Sequence, residues 1–127
     1  MPISKGDAFL IWTPSARDNN RRHLFFCLCN PNPECILVSI SGLTPKSEQT
    51  CILQIGEHPF IIKESGVFYR SPRQETEESI NRMIAEGNCI PKDPASNELI
   101  EKICQGAHES GFAPMWLSRK LKENSAI

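Results

Sequence analysis

The chain has 127 residues, of which 39% are hydrophobic and 23% charged, and its formal net charge is −1. This length and composition predict one folded domain, 1–127, and exclude a disordered chain. A nearly neutral protein is not a bulk polyanion binder, so any contact with nucleic acid would need a local cluster of Lys and Arg.

The N-terminal segment does not show the charged and then apolar pattern of an export signal, and no apolar run approaches the roughly 18 residues that a membrane helix needs. We therefore expect a cytoplasmic protein with no membrane partner and with its six cysteines as reduced thiols. The cysteines also lack metal-ligand spacing, because CLC at 27–29 is not a CxxC pair. The sequence predicts that they are small buried side chains, and it predicts no metal and no cofactor.

The first half of the chain predicts β-strands. Short apolar runs that end in turn residues indicate strands at 7–13, 23–29, 35–41 and 50–55. HPFII at 58–62 begins a fifth strand, and GVFYR at 66–70 continues it or forms a sixth. Several strands are apolar on both faces, so we expect an SH3-like antiparallel barrel or a strongly bent sheet over about 6–70, covered outside by helices or by a partner.

The second half of the chain predicts helices, which makes the whole an α+β domain. Acidic residues followed by apolar residues at helical spacing indicate a helix at about 75–86. Segment 88–94 reads as extended, because residues before proline avoid the helical region. Ser96 is a plausible N-cap for a second helix at about 96–110. The tail, 112–127, is expected to pack back on the barrel and then fray.

The densest positive charge is RDNNRRH at 17–23, in the loop between the first two predicted strands. Arginine side chains match the geometry of phosphate, and asparagine amides can add hydrogen bonds. The alternative is an ordinary solvated loop, since loops collect charge as well as function. The candidates for substrate binding are Arg17, Asn19 and Asn20, and the candidates for catalysis are Arg21, Arg22 and His23.

A second group of polar side chains lies at the end of the third predicted strand. It consists of the hydroxyl residues Ser39, Ser41 and Thr44. None of them has the pattern of a nucleophile elbow, and the alternative is ordinary strand-end and turn hydroxyls.

His58 lies in GEHPFI, between two apolar runs. It could exchange protons with a substrate, or it could shape a turn. Pro59 fixes an extended conformation and cannot donate to a sheet, so the local sequence favours the turn.

Several of these stretches resemble one known family. GDAFLIW at 6–12 and CILVSISG at 35–42 resemble the first and third strands of the MazF/PemK family of bacterial toxins, which are SH3-like barrel endoribonucleases. More narrowly, the block TCILQIGEHPFI at 50–61, with HLFFCLCNP before it and SGVFY after it, is similar to a PemK-like group of bacterial proteins. The resemblance covers about residues 6–70.

The resemblance implies metal-independent cleavage of single-stranded RNA, in which a 2′-hydroxyl attacks the adjacent phosphate. Arg21 or Arg22 would take the family's arginine position at the start of the second strand. Ser41 would take the hydroxyl position at the end of the third strand. His23 and His58 are candidate acid–base groups, because the reaction needs proton transfer near neutral pH.

The resemblance also implies partners: single-stranded RNA, a second copy in a homodimer, and an antitoxin protein that blocks the site. Two other functions stay open. The same barrel could be a non-enzymatic module that binds a peptide or a protein. A metal or redox site is the third alternative, and its residues would be Cys27, Cys29, Cys51 and His58.

Overall fold

A six-stranded antiparallel sheet forms the centre of the fold in a computed structural model, which describes residues 2–12, 22–31 and 33–124. The strands are β1 (Ala8–Trp12), β2 (Arg22–Cys29), β3 (Glu34–Gly42), β4 (Ile52–Leu53), β5 (Ser65–Thr76) and β6 (Cys89–Lys92). The helices are α1 (Glu77–Ala85), α2 (Asn97–Glu109) and α3 (Met115–Glu123). The strand order is β4-β5-β3-β2-β1-β6, so the sheet is open, with β4 and β6 as its edges. The α+β class is confirmed, as a bent sheet and not as a closed barrel.

Helices cover both faces of the sheet, which explains why its strands are apolar on both sides. Successive residues of a strand point to opposite faces. Phe26 and Val38 therefore belong to the core under α2 and α3, whereas Phe25 and Leu37 belong to a second core under α1. We call the first the α2/α3 face and the second the α1 face.

The first three strands and two helices were predicted close to their observed bounds. Thr13, the last residue of the predicted first strand, lies outside the described residues. Ser96 is confirmed as the N-cap of α2, because its hydroxyl accepts a hydrogen bond from the Leu99 N–H at 3.1 Å. Thr76 caps α1 in the same way, through the Ser79 N–H at 3.0 Å. These caps satisfy N–H groups that a helix start leaves without an intrahelical partner.

The segment 50–62 was predicted wrongly. Its predicted strand at 50–55 is only Ile52–Leu53. HPFII at 58–62 is not a strand, because the Ile61 N–H donates to the His58 carbonyl at 2.9 Å and closes a turn there. Pro59 has no N–H to give to a sheet, which favours this turn.

The structure bears out the extended segment and the packing of the tail, and it adds detail to both; only the fraying predicted for the basic stretch after Leu117 is wrong, because that stretch is helical through Glu123. The segment 88–94 contains a paired strand, β6, whose residue Ile90 lies opposite Leu10 of β1. The tail forms a third helix, α3, because Pro114 presets the backbone before its first turn. Leu117 and Leu121 lie one turn apart and are both buried against the α2/α3 face.

A glycine brings α2 into close contact with the sheet. The Tyr69 hydroxyl, from β5, donates to the Ile103 carbonyl of α2 at 2.7 Å. A Cβ atom at Gly106 would overlap that hydroxyl and would lie 3.0 Å from the Cβ of Cys51. The absence of a side chain at Gly106 therefore permits this packing. None of the described helices is both long and apolar enough to cross a membrane.

Candidate functional site

The start of β2 and the end of β3 meet at one end of the sheet. Leu24 pairs with Ile40, so His23 and Ser41 follow on the next positions of the two strands. Both positions alternate with residues of the α2/α3 core, and their side chains therefore belong to the opposite, α1 face. The α1 core ends at Phe25 on β2 and at Leu37 on β3, whereas on β1 it reaches Ile11, the partner of His23. His23 and Ser41 therefore lie at the border of this core.

Three adjoining depressions open at this end, with volumes of about 470, 310 and 230 Å³. Ser41 lines all three of them. Together they form a surface that we call the Ser41 groove, whose polar and aromatic lining includes Arg22, His23, Ser41, Thr44, Lys46, Lys63, Phe68, Arg70 and Phe112.

The structure brings four of the sequence-predicted residues into this groove. The 230 Å³ depression is lined by Arg22, His23 and Ser41, and Thr44 lines the two larger ones beside Ser41. Ser39 lies two residues before Ser41 on the same face, where it pairs with Phe68 of β5. The remaining candidates of the first loop lie outside the described residues: Arg17, Asn19, Asn20 and Arg21.

Lys63 is a groove residue that sequence reasoning missed. A Cβ atom at Gly42 would overlap the Cε of Lys63 and would lie 2.7 Å from its Nζ, so the lysine side chain crosses the place where a side chain would be. The ammonium group of Lys63 therefore lies over the end of β3, beside Ser41. In the sequence, the only sign of this arrangement is Gly42, which leaves room beside Ser41. It does not reveal that the Lys63 side chain occupies that room.

The groove carries positive charge although the whole chain is nearly neutral. Among the described residues, the ion pairs are Arg73–Glu75, Arg82–Glu78 and Lys102–Glu57. None of them includes a cation of the groove. Those cations are Arg22, Lys46, Lys63 and Arg70. A local patch of this kind is what phosphate binding requires of a protein with a net charge of −1.

One carboxylate, Glu48, also lines the groove, but its oxygens are engaged within the fold. Its Oε2 accepts from the Thr50 hydroxyl at 2.7 Å and from the Ser110 hydroxyl. Its Oε1 accepts from the Tyr69 N–H at 3.4 Å. The Ser110 hydroxyl also accepts from the Phe112 N–H at 3.1 Å. Through Ser110, Glu48 therefore holds the connection between α2 and α3 beside the groove.

His58 is only 2% exposed and does not line the groove, although Phe60 and Ile61 of its turn line the 230 Å³ depression. Its Nε2 donates to the Asp93 carbonyl at 2.6 Å, and its Nδ1 accepts from the Phe60 N–H at 3.1 Å. The ring also meets Phe26 edge to face, with 5.2 Å between ring centroids. Both nitrogens are therefore engaged within the fold, and these contacts fit the turn-shaping interpretation of His58 and not proton exchange with a substrate.

All six cysteines are buried and none forms a disulfide, so their prediction as small buried side chains is confirmed. Burial raises the pKa of Cys104 to about 11, which keeps it a thiol at neutral pH. Cys27 belongs to the α1 core, whereas Cys29 and Cys51 belong to the α2/α3 core. Within the described ranges, no three His, Cys, Asp or Glu side chains are grouped so that they could hold a metal ion.

No protein-family model matches the chain, and no curated protein matches it. The resemblance to MazF/PemK toxins stays a prediction that depends on the sequence stretches given above.

Proposed function

We propose that the protein is a metal-independent endoribonuclease that cleaves single-stranded RNA in the Ser41 groove. The observation that supports this best is the lining of a single depression by Arg22, His23, Ser41 and Lys63. These residues come from two strand ends and a loop, and the fold brings together two cations, an imidazole and a hydroxyl. Those are the groups that RNA cleavage through the 2′-hydroxyl requires.

In the proposed reaction, the 2′-oxygen of RNA forms a bond to the adjacent phosphorus while the bond from phosphorus to the 5′-oxygen breaks. His23 takes the proton of the 2′-hydroxyl, because imidazole can accept a proton near neutral pH. The departing 5′-oxygen takes a proton from water. The products are a 2′,3′-cyclic phosphate and a 5′-hydroxyl, and the hydroxide left by the water takes back the proton from His23.

The other groove residues would stabilise charge on the phosphate. Arg22 and Lys63 place positive charge where negative charge develops on the phosphate oxygens. The Ser41 hydroxyl would donate a hydrogen bond to one of those oxygens. Preorganised donors and cations of this type contribute about 3–4 kcal/mol each to lowering a barrier.

The resemblance to MazF/PemK toxins adds a biological setting to this proposal. In that setting the protein acts in a bacterial cytoplasm, forms a homodimer, and is held inactive by an antitoxin protein. The resemblance alone supports these three statements, and each is open to direct test by co-purification and by measuring the mass of the native assembly.

The test is cleavage of an end-labelled single-stranded RNA by purified protein in excess EDTA. We expect products that end in a cyclic phosphate. The cleavage rate of His23→Ala should be lower by a factor of about 100 or more, as for loss of a general base. Lys122→Ala is a control for substitution outside the groove, because Lys122 is exposed on α3 and its loss should leave the rate unchanged. RNA that stays intact contradicts the proposal. RNA that is neither cut nor bound would favour the peptide- or protein-binding alternative.

A further inference from the structure

The largest depression of the Ser41 groove has a volume of about 470 Å³ and contains none of the groups assigned to proton transfer. Its volume lies in the range of sites that hold small organic groups, roughly 300–1,000 Å³. It lies along β5, where Gly66, Val67 and Phe68 line it. The chemistry proposed above gives this depression no role.

Two exposed aromatic side chains line this depression. Phe68 is 40% exposed and Phe112 is 53% exposed, although both belong to a residue type that is usually buried. Phe68 projects from the strand, whereas Phe112 comes from the connection between α2 and α3. A concave surface with two exposed rings is suited to holding a flat aromatic group by stacking.

Arg70 adds a cation to the same aromatic surface. Its guanidinium carbon lies 5.0 Å from the centroid of the Phe112 ring. An irregularity in β5 accounts for its position: Ser39 pairs with Phe68 and Leu37 pairs with Arg73, so four residues of β5 stand opposite Val38 alone. A bulge of this kind redirects side chains away from the regular pattern of a strand.

The polar edge of the depression includes Gln49. Its side-chain amide makes no hydrogen bond within the described part of the chain, and it offers both donors and an acceptor. Glu48 is nearby, but its oxygens already accept hydrogen bonds from Thr50, Ser110 and Tyr69. Gln49 is therefore the side chain best placed to pair with the edge of a bound aromatic group.

We infer that this depression is a subsite for one nucleobase of single-stranded RNA, next to the phosphate held at Ser41. The inference rests on the proposed function, because it takes RNA as the ligand. Ser41, Thr44 and Ser47 line both this depression and the one that contains His23 and Lys63, so the base and the phosphate belong to adjacent parts of one strand. Proteins bind unpaired bases by stacking them on aromatic and arginine side chains, which matches Phe68, Phe112 and Arg70.

The test measures binding without cleavage. The ligands are a fluorescein-labelled RNA oligonucleotide with every 2′-hydroxyl methylated, which blocks the attack, and the same backbone without bases. We expect Phe68→Ala and Phe112→Ala to bind the base-bearing strand about 5- to 150-fold more weakly, since each removes a stacking contact. Their affinity for the abasic strand should equal that of the wild type.

Two further variants separate stacking from general damage. Phe68→Tyr keeps an aromatic face and should bind like the wild type. Ile55→Ala is the matched control, because Ile55 is 68% exposed and does not line the groove. Gln49→Ala should reduce the differences in affinity among uridine, cytidine and adenosine homopolymers while leaving the abasic strand unaffected.

The outcomes distinguish this inference from the proposed function. If Phe68→Ala weakens base-dependent binding but the wild type never cuts RNA, the subsite is supported and the enzyme proposal fails. If the wild type cuts RNA and Phe68→Ala binds both strands like the wild type, the subsite inference is wrong and the enzyme proposal stands. A wild type that binds neither strand overturns both.

Discussion

The two faces of the sheet differ in how far they are covered. On the α2/α3 face, the core continues to the end of the strands, where Ile61 and the buried His58 complete it. On the α1 face, the core stops at Phe25 on β2 and Leu37 on β3, and His23 and Ser41 lie at its border, beside the buried Ile11 of β1. The covered face stabilises the fold, and the uncovered end of the other face leaves room for a ligand.

The two histidines illustrate the same difference. His58 follows a glycine turn and has partners within the fold for both nitrogens, so its ring stabilises the turn. His23 lies at a strand end beside Ser41 and Lys63, in a depression open to solvent. A histidine therefore cannot be assigned to catalysis from its neighbours in sequence, since the covering elements decide its role.

The largest expected effect concerns the covered face. We expect Gly106→Ala to destabilise the protein by about 3 kcal/mol, because the new methyl group overlaps Tyr69 and displaces its hydroxyl from the Ile103 carbonyl. Unfolding in urea measures this. The double variant with Tyr69→Phe should recover part of the loss, because the hydroxyl is the atom nearest to the new methyl group. Equal stability of wild type and Gly106→Ala would show that α2 does not pack this closely.

A smaller loss of stability is expected at His58. His58→Ala leaves the Phe60 N–H and the Asp93 carbonyl without these partners, which should cost about 2 kcal/mol in unfolding free energy. Cleavage of RNA per folded molecule should stay within about twofold of the wild type, because the hydrogen bonds of His58 involve none of the groups assigned to the reaction. Loss of activity in a variant that remains folded would contradict the separation of the two faces. Ile55→Ala, in the same segment but exposed, is the control.

The smallest effect on stability is expected in the groove. Gly42→Ala forces the flexible end of Lys63 to move, so the unfolding free energy should change by less than about 0.5 kcal/mol. RNA cleavage should fall about 10-fold, because the displaced ammonium group no longer lies beside the phosphate. Lys63→Ala should lower the rate at least as much, and adding Gly42→Ala to it should change nothing further. Additive losses would mean that Gly42 acts through something other than Lys63.

Much of the fold was predictable, because local patterns decide it. Apolar runs of strand length specified β1, β2 and β3, and Ser96 marked the start of α2. The helix α3 was missed because its apolar residues, Leu117 and Leu121, are separated by a basic stretch. Their burial depends on contacts with α2 and β2, which lie elsewhere in the sequence.

The candidate site was predictable only in part. Arg22, His23 and Ser41 could be predicted, because they are charged or hydroxyl residues at the ends of predicted apolar strands. Lys63 and Phe112 reach the groove through tertiary contacts, with Gly42 in the first case and with Arg70 in the second. Neither contact leaves a pattern in the local sequence, so no argument from spacing could have found these residues.

The most direct test of the central claim is a titration of the isotope-labelled protein with an uncleavable single-stranded RNA, followed by amide chemical shifts in NMR spectra. We expect the signals of Ser41, Thr44 and Phe68 to move, while those of Ile103 and Leu117, which are buried in the α2/α3 core and do not line the groove, stay in place. Shifts confined to residues outside the groove, or no shift at any RNA concentration up to millimolar, would contradict the assignment of function to the Ser41 groove.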